Sequence, residues 1–257
     1  MKFVYACYGK AGLDCLYQLL NQSECSPSNI FVITYADDTN RALIDHLNAL
    51  GMNYTTEPLR DGQVLDRIIQ FAPDYLFSIY YREIFPVNLI ESVAHAAVNL
   101  HPSLLPDYKG CFSAPWVLIN GEQQTGTTYH VIDKGIDTGN ILVQKSLEIM
   151  PWDTAFSLYH RLAALGCELF PTMFQRVVRE GYRGKQQPTS GRLYKREIPY
   201  GGWVSLDWGR TMIHNFIRAM YFPPYAGARL SLDGSIFEFK TIAEFDGFSK
   251  VRGLTIP

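Results

Sequence analysis

The sequence has no apolar run near the roughly 20 residues that a membrane-spanning helix needs. Its opening, MKFVYACYGKAG, interrupts a short apolar segment with tyrosines and glycine, so it reads as neither a membrane span nor a secretory leader. Metal-site spacing is missing as well. The five cysteines, at 7, 15, 25, 111 and 167, form no ligand pattern, and their odd number argues against a secreted disulfide framework. An excess of one charge is also lacking: 23 Lys+Arg against 25 Asp+Glu gives a formal net charge of −2. That balance supplies no general attraction to nucleic acid or an anionic membrane, though it leaves room for a local basic pocket. GKAG at 9–12 completes neither a P-loop nor GxGxxG, so neither ATP nor NAD is indicated. No repeat or low-complexity segment stands out. These absences predict a cytoplasmic globular protein with reduced thiols, no nucleic-acid partner, no stable membrane association and no metal.

What is present alternates. KFVYACY (2–8), NIFVITYA (29–36), MNYTT (52–56), DYLFSIYY (74–81) and AHAAVNL (94–100) read as strands. GKAGLDCLYQLLNQ, NRALIDHLNALG and VLDRIIQFA between them read as helices. Short apolar strands separated by helices predict an α/β fold with a largely parallel sheet. GTTYHVID and NILVQKSLEI read as two more strands joined through KGIDTG, and a long helix is predicted over 154–179. YRGKQQPTSG (182–191) is polar and turn-rich, which reads as a linker or surface excursion. After it come a helix near WGRTMIHNFIRAMY and short alternating stretches, ARLSLDGSIFEFKT and GFSKVRGLTI, expected to form a small, mainly antiparallel β subdomain. The reading places one boundary, with a catalytic domain over 1–185 and an extension over 186–257.

HPSLLPDYKG (101–110) follows AHAAVNL directly, so a strand ends by presenting Asn99 and His101 to a loop closed by prolines and a glycine. In open α/β folds, ligand sites collect outside the carboxyl ends of the strands. Asn99 and His101 share a side-chain direction if the strand persists through both. A carboxamide can donate to an acyl oxygen, an imidazole can carry a proton, and Asp137 in the IDTG loop can orient that imidazole. The set suits acyl transfer without a covalent nucleophile. Taken singly, each residue has a plainer use: His101 and Asn99 in a turn, and Asp137 satisfying backbone donors.

NLHPSLLPDYKG resembles the active-site segment of folate-dependent formyltransferases, and GIDTG (135–139) resembles their downstream aspartate segment. FSIYYREIF and CFSAPWVLINGEQQTGTTYHVID are similar to the family too, and the likeness covers much of 1–180. It implies a Rossmann-like N-terminal domain, N10-formyltetrahydrofolate as formyl donor, and Asn99, His101 and Asp137 as the catalytic residues. IHNFIRAMYFPPYAGA and PTSGRLYKRE resemble the branch that formylates nucleotide-linked amino sugars. That implies a sugar nucleotide as acceptor, with thymidine diphosphate as carrier, a setting in O-antigen or lipopolysaccharide synthesis, and room for a homodimer. Methionyl-tRNA formyltransferase and a catalytically inactive folate-binding protein are the alternatives.

The same resemblance turns Tyr80, Tyr81 and Arg82 toward the folate, although strand packing and a solvated charge explain them equally well. Tyr8, Gly9 and Lys10, at the first strand–helix junction, make a reasonable nucleotide-sugar edge. Lys195 and Arg196 suit a diphosphate and Tyr194 a base or sugar, against the plainer reading of a solvated turn. Tyr221, before PPYAG, is tilted toward ligand contact, against a hydrophobic seam.

Overall fold

FVYAC, strand β1 (Phe3–Cys7), is apolar at every position because both of its faces are covered. In the computed structural model, which describes residues 1–257, Val4 and Ala6 pack with Phe31, Ile33, Leu76 and Leu89. Phe3, Tyr5 and Cys7 join Leu16, Phe77, Phe170 and Phe174. A strand sandwiched in this way reads as a continuous apolar run.

Helix α1 (Gly9–Leu20), β2 (Ile30–Ile33), α2 (Arg41–Ala49), β3 (Asn53–Thr55), α3 (Gly62–Gln70), β4 (Tyr75–Ile79), α4 (Val87–Ser92) and β5 (Ala96–His101) follow in strict alternation. Next come β6 (Lys109–Gly110), α5 (Ser113–Ile119), β7 (Gln124–Val131), β8 (Ile141–Glu148) and α6 (Ala155–Phe174). The chain ends with β9 (Leu193–Tyr194), α7 (Arg210–Met220), β10 (Ala228–Leu232), β11 (Ser235–Phe239) and α8 (Ile242–Arg252). The main sheet has seven strands in the order β3-β2-β1-β4-β5-β7-β8. β1 to β5 pair in parallel, and β7 lies antiparallel beside β5. The chain builds outward from β1 through β2 to β3, then returns to the other side of β1 at β4. The carboxyl ends of β1 and β4 therefore flank the topological switch point, where ligands of such sheets bind.

Two compact units divide the chain. The first holds Met1–His101, Thr127–Lys145 and Ala163–Thr189; the second holds Pro102–Gly126, Ser146–Leu162 and Ser190–Pro257. The chain crosses between them five times, at 101/102, 126/127, 145/146, 162/163 and 189/190, whereas the sequence reading drew one boundary. The first unit contains the sheet core. The second has its own core, in which Val117, Leu118, Ile213, Phe216, Leu230, Phe239 and Phe245 pack together. Its β10–β11 hairpin is antiparallel, closed by Asp233 and Gly234 at φ 50° and 74°. Asp-Gly with two positive φ angles is the chemistry of a tight hairpin turn.

One expectation needs correction. GFSKVRGLTI is not an extended stretch, because most of it lies in α8. Thr241 and Glu244 form a reciprocal capping box at the start of that helix. YRGKQQPTSG is the surface excursion of the sequence reading rather than a linker, mostly exposed but anchored at two points. Lys185 exchanges two backbone hydrogen bonds with Ile141, of 2.8 and 2.9 Å, and Gln187 is buried.

Candidate active site

Strand β5 persists through His101, so Asn99 and His101 do share a side. The antiparallel register sets Asn99 opposite His130 and His101 opposite Thr128. Asn99 Nδ2 lies 3.1 Å from His130 Nε2. Asp137 sits between two imidazoles, with Oδ2 3.3 Å from His101 Nδ1 and Oδ1 3.3 Å from His130 Nε2. Both histidine side chains are at least 95% buried and Asp137 is 13% exposed, so these contacts are poorly screened by water. The structure thus brings the three predicted residues together and adds His130, which the sequence reading missed. Its signal was slight: QTGTTYHV has no apolar alternation to mark its histidine, and the register that places it against Asn99 is not written in the sequence.

The partners limit where protons reside. His130 Nδ1 lies 2.8 Å from the carbonyl of Val131, which only accepts, so Nδ1 carries hydrogen. A neutral His130 then has a bare Nε2, which accepts from the Asn99 amide and fixes that amide's orientation. When His130 is charged, Nε2–H turns its donor toward Asp137 instead. For His101, donation from Nδ1–H to Asp137 leaves Nε2 as the basic nitrogen of the neutral ring. A carboxylate facing two imidazoles balances whichever one takes up a proton.

The loop between β7 and β8 is built to hold Asp137. Asp137 has φ 53°, a left-handed conformation that a non-glycine residue keeps only when its surroundings impose it. Asp133 Oδ1 accepts from Gly135 N at 3.0 Å and Thr138 Oγ1 at 2.7 Å. Gln187 Nε2 donates to the carbonyls of Asp137 at 3.0 Å and Gly139 at 2.6 Å. Sequence reading passed over Gln187 because it sits in a polar, turn-rich stretch. Gln187→Leu keeps much of its bulk and deletes both bonds. Turnover should fall roughly 10–100-fold, with little change in either KM and with folded protein retained by circular dichroism. Unchanged kcat would show that the loop holds itself.

At the switch point, two predicted sets meet. The Arg82 guanidinium lies 3.5 Å from the centroid of the Tyr8 ring. Tyr8 meets Tyr35 edge-on at 5.7 Å, and Tyr35 stacks on Tyr81 at 5.1 Å. Tyr35 Oη accepts from Arg82 N at 3.0 Å, and Asn40 Oδ1 accepts from Gly9 N at 2.7 Å. Burial pushes the Tyr81 phenol well above its ordinary range, so it remains protonated. Tyr80 has φ 56°, turning the chain as β4 ends. Tyr35, missed from the sequence, joins the two sets. Lys10 is exposed and paired with Asp14 at 2.6 Å.

In the second unit the predicted residues separate. Tyr194 lines a cavity of about 610 Å³ with Leu104, Asp107, Tyr108, Thr125 and Arg192. It stacks on Tyr108 at 5.5 Å, and the Arg192 guanidinium lies 5.2 Å from its ring. Tyr221 lines a different cavity, about 140 Å³, with Phe222, Tyr225 and Lys240. Lys195 and Arg196 are exposed and line neither cavity. Arg192 and Lys240 are cations that the sequence reading missed. No group of three or more His, Cys, Asp or Glu side chains has a metal-holding arrangement. No helix is long and apolar enough to cross a membrane.

The profile of the family described as Formyl transferase matches residues 9–174. The chain belongs to the formyl transferase family. Its fold is accordingly that of a Rossmann-like formyltransferase, with a two-stranded antiparallel sheet toward the C-terminus. The GDP-perosamine N-formyltransferase of Brucella melitensis is 34% identical over 242 residues, 94% of this chain and 93% of that protein. The methionyl-tRNA formyltransferase of Geobacter sulfurreducens is 31% identical over 185 residues, 72% of this chain and 58% of that one. Among solved structures, the N-formyltransferase of Helicobacter canadensis, in complex with folinic acid and dTDP-3-aminofucose, superposes with a TM-score of 0.72. It is 25% identical, and the match covers 91% of this chain and 85% of that one.

Proposed function

We propose that this formyl transferase moves the formyl group of N10-formyltetrahydrofolate to the primary amine of a nucleotide-linked amino-dideoxy sugar. The observation that carries the proposal is the Asn99–His101–Asp137 group, with His101 buried and Asp137 Oδ2 3.3 Å from its Nδ1. Donor and acceptor class are supported by the named relatives of Brucella and Helicobacter, one acting on a GDP sugar and the other complexed with folinic acid and a dTDP sugar.

The folate supplies an activated formyl carbon. As the amine adds to that carbon, negative charge develops on the formyl oxygen. Asn99 Nδ2 has two hydrogens, so holding His130 leaves one to donate to that oxygen. Charged His101 is the second donor, and Asp137 balances it. The amine gives up one proton and the departing nitrogen takes one, so the route through His101 and Asp137 releases none overall. Each donor aimed at the developing oxyanion contributes about 10²–10³ in rate.

The Tyr8–Tyr35–Tyr81–Arg82 cluster offers aromatic faces and a guanidinium where a flat heterocycle and a carboxylate would be recognised. That supports Tyr80–Arg82 on the folate side and Tyr8–Lys10 at its border with the sugar nucleotide. In the second unit, the 610 Å³ cavity has the size of a small-ligand site, with Arg192 for anionic groups and Asp107 for hydroxyls. Tyr221 and Lys240 are assigned to the base or diphosphate, with Lys195 and Arg196 as outlying cations. Tyr221→Ala and Lys240→Ala should each raise the sugar-nucleotide KM about 3–10-fold and leave the folate KM unchanged. Equal effects on both constants would point to a structural tail.

For the carrier, thymidine diphosphate is the reading of the sequence, while the 34% identical Brucella relative favours guanosine diphosphate. GDP-perosamine, dTDP-3-aminofucose and methionyl-tRNA, offered in turn with the same donor, separate the readings by mass spectrometry. Formylation of either sugar nucleotide supports the proposal and selects the carrier. Turnover with methionyl-tRNA alone refutes it.

A further inference from the structure

Two of the thiols touch. Cys15 on α1 and Cys167 on α6 are 152 residues apart in the chain, yet their Sγ atoms are 3.1 Å apart. Both belong to the first unit. Cys15 is buried beside Tyr129, 4.0 Å from its Oη, while Cys167 is half-buried, 3.6 Å from the carbonyl of Ala11. A disulfide places its sulfurs about 2.05 Å apart, so closure requires an approach of about 1 Å.

We propose that Cys15 and Cys167 form a reversible oxidation site, closed to a disulfide by hydroperoxides and reopened by thiols. The inference is independent of the proposed substrate. The Cys167 thiolate attacks a peroxide oxygen and breaks the O–O bond, giving a sulfenic acid and an alcohol (water, from hydrogen peroxide). The Cys15 sulfur then attacks the Cys167 sulfur, and the sulfenic hydroxyl leaves as water with the Cys15 proton. Two thiols and one hydroperoxide become one disulfide, one alcohol and one water.

The order follows from the surroundings. Cys167 is the accessible partner. The Cys15 thiol donates to its sulfur, and that hydrogen bond holds Cys167 below the ordinary thiol range against the opposing effects of burial and the nearby Asp14 carboxylate. Cys15 is pushed up, first by that hydrogen bond and then by burial, which suits a resolving rather than a sensing thiol. Burial pushes Cys7 up as well and Cys25 up to about 12, leaving both poorer nucleophiles at neutral pH.

The bond would tie α1, which starts just after Tyr8 at the switch point, to α6 beneath the catalytic strand. Gly166, next to Cys167, accepts from Tyr129 Oη at 2.9 Å, and a Cβ at Gly166 would lie 2.6 Å from Leu100 on β5. Oxidation should therefore stiffen the scaffold under Asn99 and His101.

The test treats the full-length wild-type chain with one molar equivalent of hydrogen peroxide, followed by intact mass and a non-reducing peptide map. The expected first product lacks two hydrogens, contains a linked Cys15–Cys167 peptide, and reverts in dithiothreitol. Its Tm should be roughly 5–10 °C above that of the reduced chain. In Cys15→Ser, Cys167 should stop at a sulfenic acid that dimedone captures. Primary oxidation at Cys7, Cys25 or Cys111, or addition of oxygen at Cys167 of the wild type without a cross-link, would overturn the proposal.

Discussion

Replacing His101 by Ala lowers the rate of formyl transfer by about 10²–10⁴-fold when chemistry is limiting, with the protein still folded. The residue is 4% exposed at the end of β5, and its Nδ1 faces a carboxylate that would balance its charge. Alanine removes the proton carrier and one of two oxyanion donors together. Asn99→Ala removes only a donor, so its loss should be smaller, about 10²–10³. Because both donors would be aimed at the same oxygen, the double variant should lose less than the product of the two single losses. Single-turnover rates at saturating donor and acceptor measure all three. Near-normal turnover of folded His101→Ala would remove His101 from the chemistry.

Gly139→Ala gives the second large effect, and its cause is steric. A Cβ there would stand 1.9 Å from the Val131 carbonyl oxygen and 2.8 Å from its carbon. Backbone atoms of a paired strand cannot yield as a flexible side chain does, so the loop carrying Asp137 must shift. The expected cost is about 1–3 kcal/mol of stability, with kcat down roughly 100-fold because the carboxylate leaves the two imidazoles. Gly62→Ala is the control. Nothing lies within 4 Å of a Cβ at Gly62 on α3, and alanine is the better helix former. Thermal unfolding and kcat of the two variants separate a general intolerance of glycine replacement from displacement of Asp137.

Much of this was legible in the sequence because it depends on local pattern. Doubly buried strands such as FVYAC read as apolar runs, and the strand end carrying Asn99 and His101 follows from the same pattern, whereas its catalytic reading rested on the grouping with Asp137 and on the resemblance of NLHPSLLPDYKG and GIDTG to the formyltransferases. What escaped depends on register and on returning chain. Residues 31 apart in sequence must pair across two strands before His130 meets Asn99. Gln187 sits in a polar, turn-rich stretch, and only the return of 183–187 to the β7–β8 loop gives it a partner. Three of the five crossings between units have no compositional mark, since β7, β8 and α6 each run through one without a break. The helix α8 was a different kind of miss. Its start is set by the Thr241–Glu244 capping box, a local feature that the alternation read in GFSKVRGLTI leaves out.

The most direct measurement supplies N10-formyltetrahydrofolate carrying ¹³C in its formyl group, with GDP-perosamine or dTDP-3-aminofucose as acceptor. Fragmentation mass spectrometry then locates the label. The account predicts one ¹³C-formyl group on the sugar nitrogen, formed by wild-type protein and at least a hundredfold more slowly by His101→Ala. Label that stays on the folate in the presence of both acceptors, or transfer unaffected by His101→Ala, would contradict it.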